Sequence, residues 1–422
     1  MSLPAETKNE PPRRDPYLVL ACCFLGWMFA GMEMGLMPLV ARTVSMDLMG
    51  SAFNDAAASQ WFAWYTVAFL LGGAVGGLLF GWLGDQFGRT KAMAGSILCY
   101  AVLTGLGFFV GSQEHLLVLR FLASLGIGGM WPCGVSLFSE FWGNVSRPTL
   151  AGVFGVSANV GIVLMGLTGT HLVVTPQTWR TIMLVGAAPT LLGVLVLLVC
   201  PESPKWLAGR SRRDMRPMGA PVSEVFRPPL LRLTLIGICL ATIPLLGAWG
   251  SGKWLIPWAD KAGGIANPDY KATAQLVWAV GAALGSLTGG WLANRFGRRL
   301  TYFFISLGSL AVNGGIYRFM QPGEGGFLPA VFVLGLISTV FFGWLPLYLP
   351  ELFPTRVRAT GTGVTYNFGR FASAAGVLCA GLLARAFGGD YAVIGGVTSL
   401  VYAFGMLVIW FAPDTTDKGL QE

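Results

Sequence analysis

The chain has 422 residues, 54% of them hydrophobic and 11% charged, with a mean hydropathy of +0.64. A soluble globular domain carries about 25% charged residues, so this chain lacks the ionic groups to cover a water-facing surface, and the bilayer is its expected solvent. The net charge of +8 and the pI near 9.2 do not point to nucleic acid, because the cations gather in loops on one side of the membrane.

A tail of residues 1–16 precedes the first apolar span, Tyr17 to Ala41. That span is longer than a signal-peptide core and no small-residue cleavage site follows it, so it is expected to be retained. Five further spans read over 58–83, 92–111, 116–141, 149–172 and 180–200. Residues 201–230, rich in Arg and Pro, form the one long polar segment and read as a linker. A second set follows over 231–259, 271–293, 301–320, 327–350, 359–386 and 390–412, and residues 413–422 make a closing tail. A helix of roughly 20 apolar residues crosses about 30 Å of hydrocarbon. Backbone groups in lipid must be satisfied within the segment, and the short alternating stretches of a barrel are absent. The expected fold is an all-α membrane protein: twelve transmembrane helices in two pseudo-symmetric six-helix bundles, 17–200 and 231–412.

The seven cysteines fall within or at the edges of apolar spans, an odd intramembrane set that argues against a disulfide framework. His115 and His171 are too scattered for a metal site. No nucleotide-binding signature and no HExxH, GxSxG or paired-aspartate motif lies in a span, so neither an enzyme nor a cofactor is expected.

The chain repeats itself. GWLGDQFGRTK at 81–91 returns as GWLANRFGRRL at 290–300, and SEFWGNVSRPTLAG is matched by PELFPTRVRATGTG, so that Glu140 and Arg147 fall on Glu351 and Arg358. PES at Pro201 falls near PDT at Pro413. Duplication of a six-span unit is the simple reading, and transporters built this way bind at the midplane between the halves. About eighteen of the 28 Lys and Arg lie in the tails and even-side loops if the N-terminus is cytoplasmic, which predicts both termini in the cytoplasm.

GWLGDQFGRTK resembles the loop signature of the major facilitator superfamily between its second and third helices, and GWLANRFGRRL resembles its weaker second copy. RFLASLGIGG at Arg120, PESPKWL at Pro201 and PELFPTRVRATGTG at Pro350 extend the resemblance over essentially the whole chain, toward the branch with sugar porters, organic-ion transporters and aromatic-acid/proton symporters. The fifth span lacks the glutamine usual in sugar porters, and the seventh carries Lys253 instead, so a sugar is not carried over as the substrate. The resemblance implies a conformational latch of Asp85, Arg89, Glu140, Arg147, Arg298, Glu351 and Arg358, whose charge pairs would hold the cytoplasmic side shut. A plain topogenic loop is the alternative.

Ionisable residues deep in a span cost about 2.5 to 3.5 kcal/mol each and are functional candidates by default. Glu33, in the first span, is expected to carry a proton, or else to be a buried, paired carboxylate. Arg120, which the resemblance places beside a coupling site, would tune it or serve as a structural ion-pair partner. Lys253 is expected to approach Glu33 across the pseudo-twofold, or to snorkel to the surface. Arg370 aligns with Asn159 by the repeat and offers a planar fork to an anion. The resemblance to organic-anion transporters supports that role, and a tether to backbone carbonyls is its alternative. Asn159, Tyr366 and Asn367 would orient the substrate, and Trp254, Trp278, Trp344 and Tyr348 sit on spans that line the cavity in the family.

These readings together lead to a proton-coupled importer of a small organic anion in the bacterial plasma membrane, working by alternating access, with protons and lipid as partners and a monomer as the expected state. A sugar or polyol symporter, an exporter of amphipathic compounds and a non-transporting sensor on a transporter scaffold are the other readings.

Overall fold

The structure is a computed structural model that describes residues 15–141, 147–210, 222–264, 266–354 and 357–416. The first half contains α1 (Asp15–Met49), α2 (Asp55–Phe87), α3 (Arg89–Leu106), α4 (Gln113–Phe141), α5 (Arg147–His171) and α6 (Trp179–Val199). The second contains α7 (Leu230–Gly263), α8 (Tyr270–Phe296), α9 (Arg298–Phe319), α10 (Phe327–Glu351), α11 (Arg358–Ala386) and α12 (Tyr391–Phe411). Among the described residues ten of these are long and apolar enough to cross a bilayer, and α5 and α11 complete the twelve expected from the sequence. Large apolar side chains such as Leu191, Leu198 and Phe319 stand exposed on the outside of the bundle, as a lipid-facing surface requires.

Local chemistry sets the helix ends. Asn54 caps α2 by accepting from the Ala57 amide, and Asp390 caps α12 by accepting from Ala392 and Val393. Gly88 (φ 118°) and Gly297 (φ 86°) lie between α2 and α3 and between α8 and α9, where only glycine turns the chain without strain. The pseudo-symmetry extends to what covers these turns. The Thr90 amide donates to Glu202, while the Arg298 amide donates to Thr416 Oγ1.

Within the halves, α2 packs on α4 and α1 on α5, mirrored by α8 on α10 and α7 on α11. These approaches are close: a Cβ on Gly128 of α4 would lie 2.0 Å from the Gly73 carbonyl of α2, and one on Gly335 of α10 would lie 2.1 Å from the Trp278 carbonyl of α8. The halves meet along α5 with α8 and α2 with α11, a symmetric pair of interfaces. Helix α7 is interrupted at Ser251, whose hydroxyl donates to the Gly395 carbonyl and accepts from Asn313 Nδ2, while its carbonyl accepts from Tyr317. The polar groups freed by the break are thus taken up by α9 and α12.

Candidate substrate and ion site

Glu33 is fully buried where α1 crosses α3, α4 and α6. Its Oε2 accepts from Thr104 Oγ1 at 2.7 Å and lies 3.6 Å from Arg120 Nη1. Arg120 Nη2 also donates to the Glu33 carbonyl at 3.1 Å, so the guanidinium holds both the side chain and the backbone of α1. The sequence suggested this pairing, and the pair lies wholly inside the first half. Its partners make the burial tolerable, and removing one would leave an uncompensated charge, at a cost of about 3 to 5 kcal/mol.

Lys253 does not meet Glu33. The repeat alignment behind that expectation assumes a continuous seventh helix, whereas the break at Ser251 resets the helical phase and turns Lys253 toward α8. Its Nζ stands 3.7 Å from the centre of the Trp278 ring and 5.9 Å from that of Trp249. Nor does it snorkel, being 2% exposed. Between it and Arg120 lie two rings, Phe69 of α2 and Trp249 of α7, with centroids 4.4 Å apart across the halves. The Arg120 guanidinium carbon stands 5.4 Å from the Phe69 ring.

Arg370 of α11 donates through Nη1 to the Gly73 carbonyl of α2 at 2.6 Å and lies over the Tyr366 ring. In this conformation it ties the halves together, the alternative role left open by the sequence. Asn159 is also at a seam: Nδ2 donates to Gly155 and, across the halves, to Ala282 O and Ser286 Oγ at 3.4 Å. Asn367 donates to the Gly363 carbonyl one turn back.

The aromatic residues divide. Trp278 faces Lys253, while Trp254 is buried against Phe62 and Tyr391. Trp344 and Tyr348 are fully buried. They stack at 4.4 Å inside the second half, where Trp344 Nε1 donates to the Arg298 carbonyl and the Tyr348 hydroxyl to that of Pro413.

The charges expected to form a latch lie at the end of the bundle with the glycine turns, and the pairs described there, Arg89 with Asp85 and Glu140 and Arg298 with Glu351, each fall within one half. Arg89 sits 2.5 Å from Asp85 and 3.6 Å from Glu140, which also accepts from Ser203. Arg298 grips Glu351 with Nε at 3.1 Å and Nη2 at 2.9 Å, and its Nη1 donates to Asn294 Oδ1. Arg358 donates to the Phe353 carbonyl, and the side chain of Arg147 lies outside the described residues.

At the opposite end, ion pairs do cross between the halves. Asp55 accepts Arg42 Nε at 3.0 Å and Lys261 Nζ at 3.1 Å, while Asp260 lies 2.9 Å from Lys271 Nζ and 3.8 Å from Arg42 Nη1. Arg42, Asp55, Asp260, Lys261 and Lys271 are not among the candidates read from the sequence. Unlike charges at the matching ends of spans in different halves were the available signal.

Residues 17–376 match the family model of the Major Facilitator Superfamily. The cis,cis-muconate transport protein of Acinetobacter baylyi is 29% identical over 75% of this chain and 76% of its own length. The niacin transporter NiaP of the same organism is 24% identical over 100% and 99%, and the sialic acid transporter NanX of Escherichia coli 25% over 94% and 93%. Among solved structures, the partially occluded inward-open xylose transporter XylE of E. coli superposes with a TM-score of 0.75 at 16% identity, covering 97% of this chain and 100% of that one, a likeness of fold. Twelve helices in two mirrored halves, the doubled glycine turn and the family match lead to one conclusion: the chain belongs to the Major Facilitator Superfamily and is a membrane transporter, not an enzyme.

Proposed function

We propose that the protein is a proton-coupled symporter that brings a small organic acid into the bacterial cell. The observation that carries this reading is the buried Glu33–Arg120 pair, a carboxylate that can gain and lose a proton beside a fixed cation at the core of the first half. Relatives named for muconate, niacin and sialic acid support an organic acid as the substrate. The one-sided distribution of cations supports a cytoplasmic side for both termini. On that orientation the glycine turns face inward, and the Asp55–Lys261 contact closes the outer mouth.

Co-transport of more than one proton would offset the charge of the acid, since the membrane potential acts on net charge moved at about 2.3 kcal/mol per 100 mV. Purified protein in liposomes, given radiolabelled muconate or nicotinate and an acid-outside gradient, should accumulate label and lose that accumulation when a protonophore is added. Accumulation indifferent to the protonophore would remove the proton; uptake of neutral sugars alone would remove the acid.

A further inference from the structure

Lys253, Gln275 and Trp278 form a buried set of polar groups that the fold leaves unsatisfied. Lys253 is 2% exposed, yet among the described residues its ammonium has no hydrogen-bond acceptor and no carboxylate within 4.0 Å. Among the described residues, Gln275 is fully buried with both amide atoms unpaired, and the Trp278 indole N–H is unpaired as well. Gln275 and Trp278 are three residues apart on α8 and share a face, and the Trp278 ring carries the Lys253 ammonium. The Gln275 amide reaches α1 at Gly35, two residues beyond Glu33, where a Cβ would lie 3.0 Å from Nε2. A lone buried ammonium and a buried amide with no partner are both costly, and a fold holds them where a ligand makes up the loss.

We propose that these three side chains are the recognition site for the substrate's carboxylate and for a second polar group on a flat acid. Lys253 Nζ and the Trp278 indole N–H donate to the carboxylate, and Trp249 and Trp278 provide flat walls for a ring or conjugated chain. The Gln275 carbonyl accepts from a hydroxyl on the ligand. The site is closed in this conformation by the Phe69–Trp249 and Phe62–Trp254 contacts between the halves, so it opens when those rings part. Arg370, with its guanidinium on the Gly73 carbonyl, serves the interface instead.

This inference rests on the acid-transport reading, and the test separates the two. Full-length purified protein is titrated with benzoate, 4-hydroxybenzoate and nicotinate and with the matching amides, and binding is read by tryptophan fluorescence and by thermal shift. Wild-type protein should favour carboxylate over amide by about tenfold or more. Lys253→Gln should bring that ratio near one with no loss of thermal stability, since a lone buried charge has been removed. Gln275→Leu should keep the carboxylate preference and lose the preference for 4-hydroxybenzoate over benzoate. Wild-type binding of the acids with the full ratio retained in Lys253→Gln would overturn this proposal alone, as would a ratio lost in Arg370→Gln and kept in Lys253→Gln. Failure of the wild-type protein to bind any of the acids would overturn the acid reading and this inference with it.

Discussion

Lys261 Nζ lies 3.1 Å from Asp55 Oδ2, an ion pair that joins the end of α7 in one half to the start of α2 in the other. Arg42 fastens the same joint by meeting both Asp55 and Asp260. Exposed pairs are worth about 0 to 1 kcal/mol each, but this group is partly shielded and shares its members, so the closed mouth should be favoured by a few kcal/mol in sum. Asp55→Asn should therefore raise the labelling rate of a cysteine placed at Ala63, roughly two helical turns beyond Asp55 on α2 and beside Gly381 of α11, by about five- to thirtyfold. Unchanged labelling would show that the network does not bias the equilibrium.

Glu33→Gln should separate coupling from movement. The amide keeps the Thr104 contact and approximate shape, so the protein should fold, although Arg120 loses its counter-charge. Proton-driven accumulation should vanish, while exchange of labelled for unlabelled substrate, which needs no net proton movement, should persist within about tenfold of wild type. Full accumulation in this variant would take the proton away from Glu33. Glu33→Ala should be worse still for stability, because beyond the lost counter-charge it removes the acceptor for Thr104 and leaves a cavity in the core.

How much of this was legible in the sequence follows from the physics of each group. Glu33 and Arg120 stood out because a charge in an apolar run is expensive, and expense makes it visible. The doubled turn stood out because glycine and a fixed register of charges recur. Lys253 was legible as a buried cation, but its neighbour was not, since pairing depends on the phase of α7; Gly250, Ser251 and Gly252 mark a weak point in the helix without fixing how the chain resumes beyond it. Trp344 and Tyr348 share composition with cavity-lining aromatics, yet their face of α10 turns inward to Tyr302 and the tail at Pro413. Arg42 lies one residue past the apolar run that ends at Ala41, while the helix itself continues to Met49 and brings Arg42 to Asp260.

The two copies of the charge cluster should not be equally important to stability. Arg298 and Glu351 are about nine-tenths buried and joined by two parallel bonds, with Thr415 donating to the same carboxylate. In the first half Asp85 is mostly exposed, and Arg89 reaches Glu140 only at 3.6 Å. Arg298→Ala should cost about 3 to 5 kcal/mol and lower the melting temperature well beyond Arg89→Ala, because it strands Glu351 in the interior. Asp85→Asn should leave folding intact and slow transport, and wild-type uptake rates in that variant would count against a role for Asp85 in switching. Equal melting losses for the two arginine variants would contradict the asymmetry.

A final test concerns the turns that seat these clusters. Gly88 and Gly297 both have positive φ, so alanine at either position carries backbone strain of about 1 to 3 kcal/mol. What lies above each glycine differs. A Cβ on Gly88 would come 2.2 Å from Glu202 Oε2, and that carboxylate is held in place by the Thr90 and Ser203 amides. On Gly297 it would come 3.1 Å from Thr416 Oγ1, a contact that relaxes with a small shift. Gly88→Ala must therefore displace Glu202 and expose the start of α3, whereas Gly297→Ala strains the backbone and little else. Thermal unfolding of the two variants should place Gly88→Ala several degrees below Gly297→Ala. Adding Glu202→Ala to Gly88→Ala should recover less than the clash alone would suggest, because the second change also removes the acceptor for the Thr90 amide. Full recovery in the double variant would show that the carboxylate contributes nothing to the turn.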